Sequence, residues 1–134
     1  MNKIIATITK ATTSQGVALI DLQIDSIAIS VLLIDVIEQP QWLKVGNQVF
    51  VLFKETEVAI AKGELGLISL RNRLASTILS IQKGELMSVL ALQFNNYVIH
   101  AAITTRSVES LKLIPDDTVT ALIKANEITL MQYL

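Results

Sequence analysis

The segment VFVLFKETEVAI, from Val49 to Ile60, is followed 70 residues later by a similar segment, VTALIKANEITL, from Val119 to Leu130. Identical residues stand at four equivalent positions of the two segments: Val49 and Val119, Leu52 and Leu122, Lys54 and Lys124, and Glu57 and Glu127. The same offset pairs identical residues elsewhere in the chain: Asn2 with Asn72, Thr7 with Thr77, Ile8 with Ile78, and Leu43 with Leu113. Similarity at one fixed offset is the signature of a repeated structural unit. The sequence therefore predicts two related modules, residues 1–64 and residues 65–134.

Apolar residues alternate with polar ones in both halves, a period that is typical of half-buried strands. The alternating stretches are VALIDLQID and IAISVLLI in the first half, and TILSIQ, VLALQF and YVIHAAI in the second. One short helical turn is predicted at Ser107–Leu111, with a counterpart near Val36–Leu43. About five short strands and one helical turn in each module predict an all-β fold of two tandem OB-like small β-barrels.

Glycines and paired polar residues mark the predicted turns between these strands, because such residues adopt the backbone conformations that turns require. Gly16 and Gly84 occupy similar places in the two modules, but they are 68 rather than 70 residues apart. This difference predicts a small insertion in one of the two hairpins.

The composition narrows the class of protein. Hydrophobic residues make up 51% of the chain and charged residues 17%, so the chain is expected to fold around an apolar core. A net charge of −1 and 4% aromatic residues argue against nucleic acid as a partner, because proteins that bind it use basic surfaces and stacking rings. No apolar run reaches the roughly 18–20 residues that cross a bilayer, and no signal peptide is evident, so we expect a cytoplasmic protein without membrane insertion. The high apolar fraction in small modules predicts a homo-oligomer.

Four short motifs follow one another in the second half. They are SLRN at Ser69–Asn72, AITTRS at Ala102–Ser107, LKL at Leu111–Leu113 and ALIKAN at Ala121–Asn126. In this order and spacing, the segment from Ile68 to Leu130 resembles a Mop (TOBE-type) module, whose pattern contains Ser-Ala-Arg-Asn, Ile-Thr-x-x-Ser and Ile-Lys-Ala. The resemblance implies a protein that binds molybdate or tungstate for storage, homeostasis or sensing, needs no cofactor and is not an enzyme.

The resemblance also implies which residues bind the oxyanion: Ser69, Leu70, Arg71, Asn72, Thr104, Ser107, Lys124, Ala125 and Asn126. Removing water from a doubly charged anion is costly, so a site must return positive charge together with several hydrogen-bond donors. Arg71 and Lys124 supply the charge, and hydroxyls and main-chain amides supply neutral donors. In the family these elements converge from two subunits, which implies sites at subunit interfaces. A trimer is preferred over a dimer, because the chain carries no partner domain that would enforce pairing.

The sequence departs from the family pattern in several places. Leu70 replaces the usual alanine, Ser76 and Asp116 stand where the family has glycine, and Lys112 interrupts Leu-Gly-Leu. The first module retains only Lys54 of the binding residues. We therefore expect one oxyanion site per chain, built from the second module.

Other interpretations of the same residues remain open. Arg71 is also compatible with a surface arginine, and Lys54 and Lys124 with edge-strand lysines that oppose aggregation. His100 is interpreted as structural and Trp42 as a core or interface residue. Residue pairs Asp21/Asp25 and Asp116/Asp117 have no further ligands beside them, and no nucleophile, phosphate loop or metal cluster is evident.

Two rival functions belong to other classes. The chain also resembles the C-terminal regulatory segment of molybdate ABC transporter ATP-binding subunits, so one rival is an interaction module that docks on such an ATPase without binding anion. The second rival is oligonucleotide binding by an OB-like fold, which the charge and the low aromatic content disfavour.

Overall fold

The computed structural model describes residues 1–34 and 38–134, and within these residues it contains ten strands and one α-helix. The strands of the first half are β1 (Asn2–Ser14), β2 (Val17–Ile24), β3 (Ile27–Leu33), β4 (Gln48–Phe53) and β5 (Ala59–Ala61). Those of the second half are β6 (Asn72–Lys83), β7 (Met87–Phe94), β8 (Tyr97–Thr104), β9 (Thr118–Ile123) and β10 (Thr129–Gln132). Helix α1 (Thr105–Ser110) follows β8, and 3-10 turns lie at Glu55–Glu57 and Ala125–Glu127. The predicted all-β fold with two OB-like modules is confirmed.

The ten strands form two curled antiparallel sheets that exchange strands. The first sheet has the order β10-β4-β1-β2-β3, and the second has the order β5-β9-β6-β7-β8. Strand β5 therefore leaves the first half to pair with β9, and β10 leaves the second half to pair with β4. Each sheet is completed by a strand from the other half, so the two repeats are tied together. The division between residues 64 and 65 stays a prediction about the sequence repeat.

The offset of 70 residues holds through both modules. In the first hairpin Thr7 pairs with Gln23, and in the second Thr77 pairs with Gln93. Both long strands carry a bulge at the equivalent place, between Ile8 and Lys10 and between Ile78 and Ser80. The predicted hairpin insertion is wrong. Ser14 pairs with Val17 in one hairpin, and the Gly84 N–H donates to the Met87 carbonyl at 2.9 Å in the other, so the loops have equal length.

Helix α1 begins two residues earlier than predicted, because Thr104 caps it: the Thr104 side chain accepts a hydrogen bond from the Ser107 N–H. The predicted counterpart near Val36–Leu43 begins at residues outside the described part of the chain. Its described part, residues 38–43, contains bends and turns instead of helix. Pro40 stands at the position equivalent to Ser110, and its ring and missing N–H oppose a final helical turn there.

One cluster of buried apolar side chains extends through both modules and includes Phe53 and Phe94, which are almost fully buried. Trp42 packs half-buried against this cluster, as predicted for a core residue. Among the described residues, no helix has the length and apolar character needed to span a membrane.

Two asparagine side chains join the modules at equivalent positions. Asn72 at the start of β6 is buried, and its Oδ1 accepts the Ser30 N–H at 2.7 Å while its Nδ2 donates to the Ser30 carbonyl at 2.8 Å. Asn2 makes the same pair of bonds with His100, at 2.8 and 2.9 Å. Ser30 and His100 lie on β3 and β8, which are edge strands, so each amide occupies main-chain groups that would otherwise lack a partner.

Candidate functional site

A cavity of about 490 Å³ lies between the two modules. One wall consists of residues that the sequence predicts as oxyanion ligands: Ser69, Leu70, Arg71, Lys124, Ala125 and Asn126. The opposite wall comes from β2 and β3 of the first module: Leu19, Asp21, Ser30 and Leu32. The fold therefore brings together six of the nine predicted ligands in a single chain.

The segment Ser69–Arg71 is held in place by its neighbours on both sides. The Arg73 guanidinium folds back and donates from Nε to the Leu70 carbonyl at 2.8 Å and from Nη2 to the Ile68 carbonyl at 3.1 Å. Asn72 fastens the other end of the segment to Ser30 on the opposite wall. Sequence reasoning missed Arg73, because its role is to fix main-chain carbonyls and the family pattern gives no signal for it.

The cavity is lined by two cationic side chains. Arg71 and Lys124 are both exposed, and neither forms a salt bridge or a side-chain hydrogen bond with any other described residue. Cations that are not neutralised internally attract an anion most effectively, because no existing ion pair has to be broken. Hydroxyl and main-chain amide donors from Ser69 and from the turn beginning at Ala125 lie beside them.

Asn72 was predicted as a ligand, but both of its polar side-chain atoms are bonded to Ser30. It is not among the residues that line the cavity. The structure gives Asn72 the part of a positioning residue, which sets the distance between the Ser69–Arg71 segment and β3.

Thr104 and Ser107 lie outside this cavity. They sit at the start of α1, where Thr104 Oγ1 is 2.8 Å from Ser107 Oγ and also accepts the Ser107 N–H at 3.1 Å. Thr104 lines a separate depression of about 510 Å³, together with Leu86, Met87 and Arg106. Within one chain, the fold does not bring Thr104 and Ser107 to the other predicted ligands.

A carboxylate that the sequence analysis did not assign to the site lies on the far wall. Asp21 lines the cavity, and its Oδ1 accepts a hydrogen bond from Ser30 Oγ at 2.8 Å. Together with Arg71 and Lys124 it leaves the charged lining with a formal charge of about +1. Asp25, which the sequence pairs with Asp21, lies in the following turn at φ 55°.

The equivalent region of the first module is already occupied by acidic side chains. Glu55 replaces Ala125, and its Oε1 lies 3.9 Å from the Met1 amino group. Glu57 Oε1 accepts the Lys54 N–H at 2.9 Å. An oxyanion placed beside Lys54 would meet both carboxylates, so this region is poorly suited to an anion.

His100 is half-buried and joins Asn2 through its main chain. Among the described residues, no group of three or more His, Cys, Asp or Glu side chains is arranged to hold a metal ion.

The fold and the cavity define a class of small two-module β-proteins with a basic pocket between the modules. Residues 68–130 match the sequence model of the TOBE domain family, and the chain belongs to this family through its second module. The resemblance noted in the sequence is thus confirmed. No curated protein sequence gives a significant match.

Solved structures of two molybdate-binding proteins are similar to the chain. One is a crystal structure of the cytoplasmic molybdate-binding protein ModG with molybdate bound, at a TM-score of 0.91 and 21% identity, covering 98% of this chain and 96% of ModG. This likeness shows the fold over both modules. The other is a molybdate-binding protein from Sporomusa ovata, 43% identical, covering 51% of this chain and 97% of its own, with a TM-score of 0.45.

Proposed function

We propose that this chain is a cytoplasmic protein that binds molybdate or tungstate reversibly, for storage, homeostasis or sensing, and catalyses no reaction. The observation that carries the proposal is the convergence of Ser69, Arg71 and Lys124 on one cavity between the modules. The family of the second module and the molybdate bound by ModG support the choice of ligand.

The chemistry of the cavity suits a tetrahedral dianion. Two cations offset the two negative charges, and hydroxyl and amide groups replace the hydrogen bonds lost when water leaves the anion. Recognition of this kind needs no nucleophile and no proton-transfer group.

The site is completed by a second copy of the chain in this proposal. Thr104 and Ser107, which the family pattern assigns to the site, lie away from the cavity but close to the exposed side chains of Leu86 and Met87, which are 79% and 47% exposed. Apolar side chains exposed in this way are typical of contact surfaces. A homo-oligomer, with a trimer preferred over a dimer, would place Thr104 and Ser107 of one copy opposite Arg71 and Lys124 of the next.

One site per chain follows from the difference between the modules. The first module has Glu55 where the second has Ala125, and its two turn carboxylates already engage Met1 and Lys54. An anion therefore gains more from the second module.

Calorimetric titration of the full chain with sodium molybdate and sodium tungstate tests the proposal, with sodium chloride at matched ionic strength as control. Free anion at one hundred times its dissociation constant stabilises the fold by about 2.7 kcal/mol, so the melting temperature should rise as well. If neither oxyanion produces heat or raises the melting temperature, the rival function is favoured, a module that docks on a molybdate transporter ATPase.

A further inference from the structure

The carboxylate of Asp21 faces the same cavity as the two cations of the proposed oxyanion site. Ser30 Oγ donates to its Oδ1 at 2.8 Å, and the charged side chains on the surrounding elements are Lys10, its cross-strand partner on β1, and Arg71 and Lys124 on the opposite wall. No ion pair between Asp21 and these cations is formed within the described residues. The negative charge therefore faces the space that an anion enters.

The fold does not require a carboxylate at this strand position. Ala91 occupies the equivalent place on β7 and pairs with His100, as Asp21 pairs with Ser30 on β3. Both hairpins keep the same register in spite of this difference, so a reason for Asp21 has to be sought in the cavity.

We propose that Asp21 sets the affinity of the site and its preference among oxyanions of different charge, an inference that rests on the proposed function. Its carboxylate repels the anion that Arg71 and Lys124 attract, which weakens binding and favours release. Because the Coulomb energy is proportional to the charge of the ligand, the repulsion acts twice as strongly on a dianion as on a monoanion. Asp21 thereby lowers the advantage that the two cations give to dianions.

The expected size of the effect follows from Coulomb's law. For charges on the order of 6 Å apart in a water-like dielectric, the repulsion weakens binding about tenfold for a dianion and about threefold for a monoanion. The change Asp21→Asn removes the charge but keeps an oxygen that accepts the Ser30 hydroxyl.

The test is calorimetric titration of the full chain and its Asp21→Asn variant with molybdate, a dianion, and with perrhenate, a tetrahedral monoanion of similar size. The matched control is Asp25→Asn, which removes one acidic charge in the neighbouring turn and creates the residue found at the equivalent Asn95. Asp21→Ala, which introduces the residue type found at the equivalent Ala91, serves as a second variant if Asp21→Asn does not fold.

We expect the Asp21 variant to bind molybdate about tenfold more tightly and perrhenate about threefold more tightly, and the Asp25 variant to bind both as the unmodified chain does. Unchanged molybdate affinity, or an equal gain for both anions, overturns the proposal for Asp21 while molybdate binding itself stands. Failure of the unmodified chain and of every variant to bind molybdate overturns the proposed function and this inference with it.

Discussion

The side-chain amide of Asn72 forms two hydrogen bonds with the main chain of Ser30, one through each polar atom, and so pairs with an edge strand of the other module as a neighbouring strand would. Asn2 repeats this arrangement with His100 at the opposite end of the interface. The two equivalent contacts fix the relative position of the sheets. Only the Asn72 contact adjoins the candidate anion cavity, because Ser30 also lines it.

Replacing either asparagine by alanine should lower the free energy of unfolding by about 2–4 kcal/mol, because two hydrogen bonds are lost and the main-chain groups of the edge strand are left unpaired. Chemical denaturation measures this loss. Asn72→Ala should also weaken anion binding, whereas Asn2→Ala should leave it unchanged. An equal effect of both variants on anion affinity would show that Asn72 does not position the cavity wall.

Removal of either cation in the cavity should weaken molybdate binding strongly. Leaving a buried or partly buried charge without its partner typically costs about 2–5 kcal/mol, so we expect Arg71→Ala and Lys124→Ala to reduce the affinity by at least about thirtyfold. The matched control is Lys54→Ala, at the position equivalent to Lys124 in the first module, and it should change little. Equal loss in the Lys54 variant would contradict the assignment of one site per chain.

Lys112 adopts a left-handed backbone conformation, with φ at 51°. This conformation is unfavourable for a side chain with a Cβ atom, and glycine adopts it without that cost. Lys112→Gly should therefore raise the free energy of unfolding by about 0.5–1 kcal/mol, as measured by denaturant titration. Asp116→Gly, at φ 74°, should give a smaller gain because aspartate tolerates this region better. Destabilisation by Lys112→Gly would exclude backbone strain at this position.

Stability should fall on the acid side in part through Asp117. The hydrogen bond from the Ile114 N–H, and then that from Lys62, hold the pKa of its carboxyl below the ordinary value of 3.8. A carboxyl with a lowered pKa stabilises the folded state above the ordinary value and loses this contribution as the pH falls through the folded value. Asp117→Asn should flatten the acid limb of a pH-stability profile, and Lys62→Ala should flatten it less. A profile unchanged in both variants would rule out this contribution.

The repeat itself allowed the sequence to predict most of the fold. Identical residues at one offset, such as Lys54 and Lys124, together with period-two alternation, predict the strands and their pairing within hairpins. Alternation alone does not say which sheet a strand joins, so the exchange of β5 and β10 was not predicted.

The candidate site was predictable only on the side that carries a family pattern. Ser69, Arg71 and Lys124 were identified through that pattern, and the fold brings them together. Asp21 lies on the opposite wall because of the packing between modules, which no local pattern encodes. The bonds of Asn72 to Ser30 arise in the same way, 42 residues apart in the chain.

A crystal structure of the chain grown with molybdate tests the central claim most directly. We expect strong heavy-atom density in the cavity between Arg71 and Lys124, with the Thr104 and Ser107 hydroxyls of a neighbouring copy within hydrogen-bonding distance of the anion. Density at another place, or an empty cavity at a saturating molybdate concentration, would contradict the assignment of this cavity as an oxyanion site.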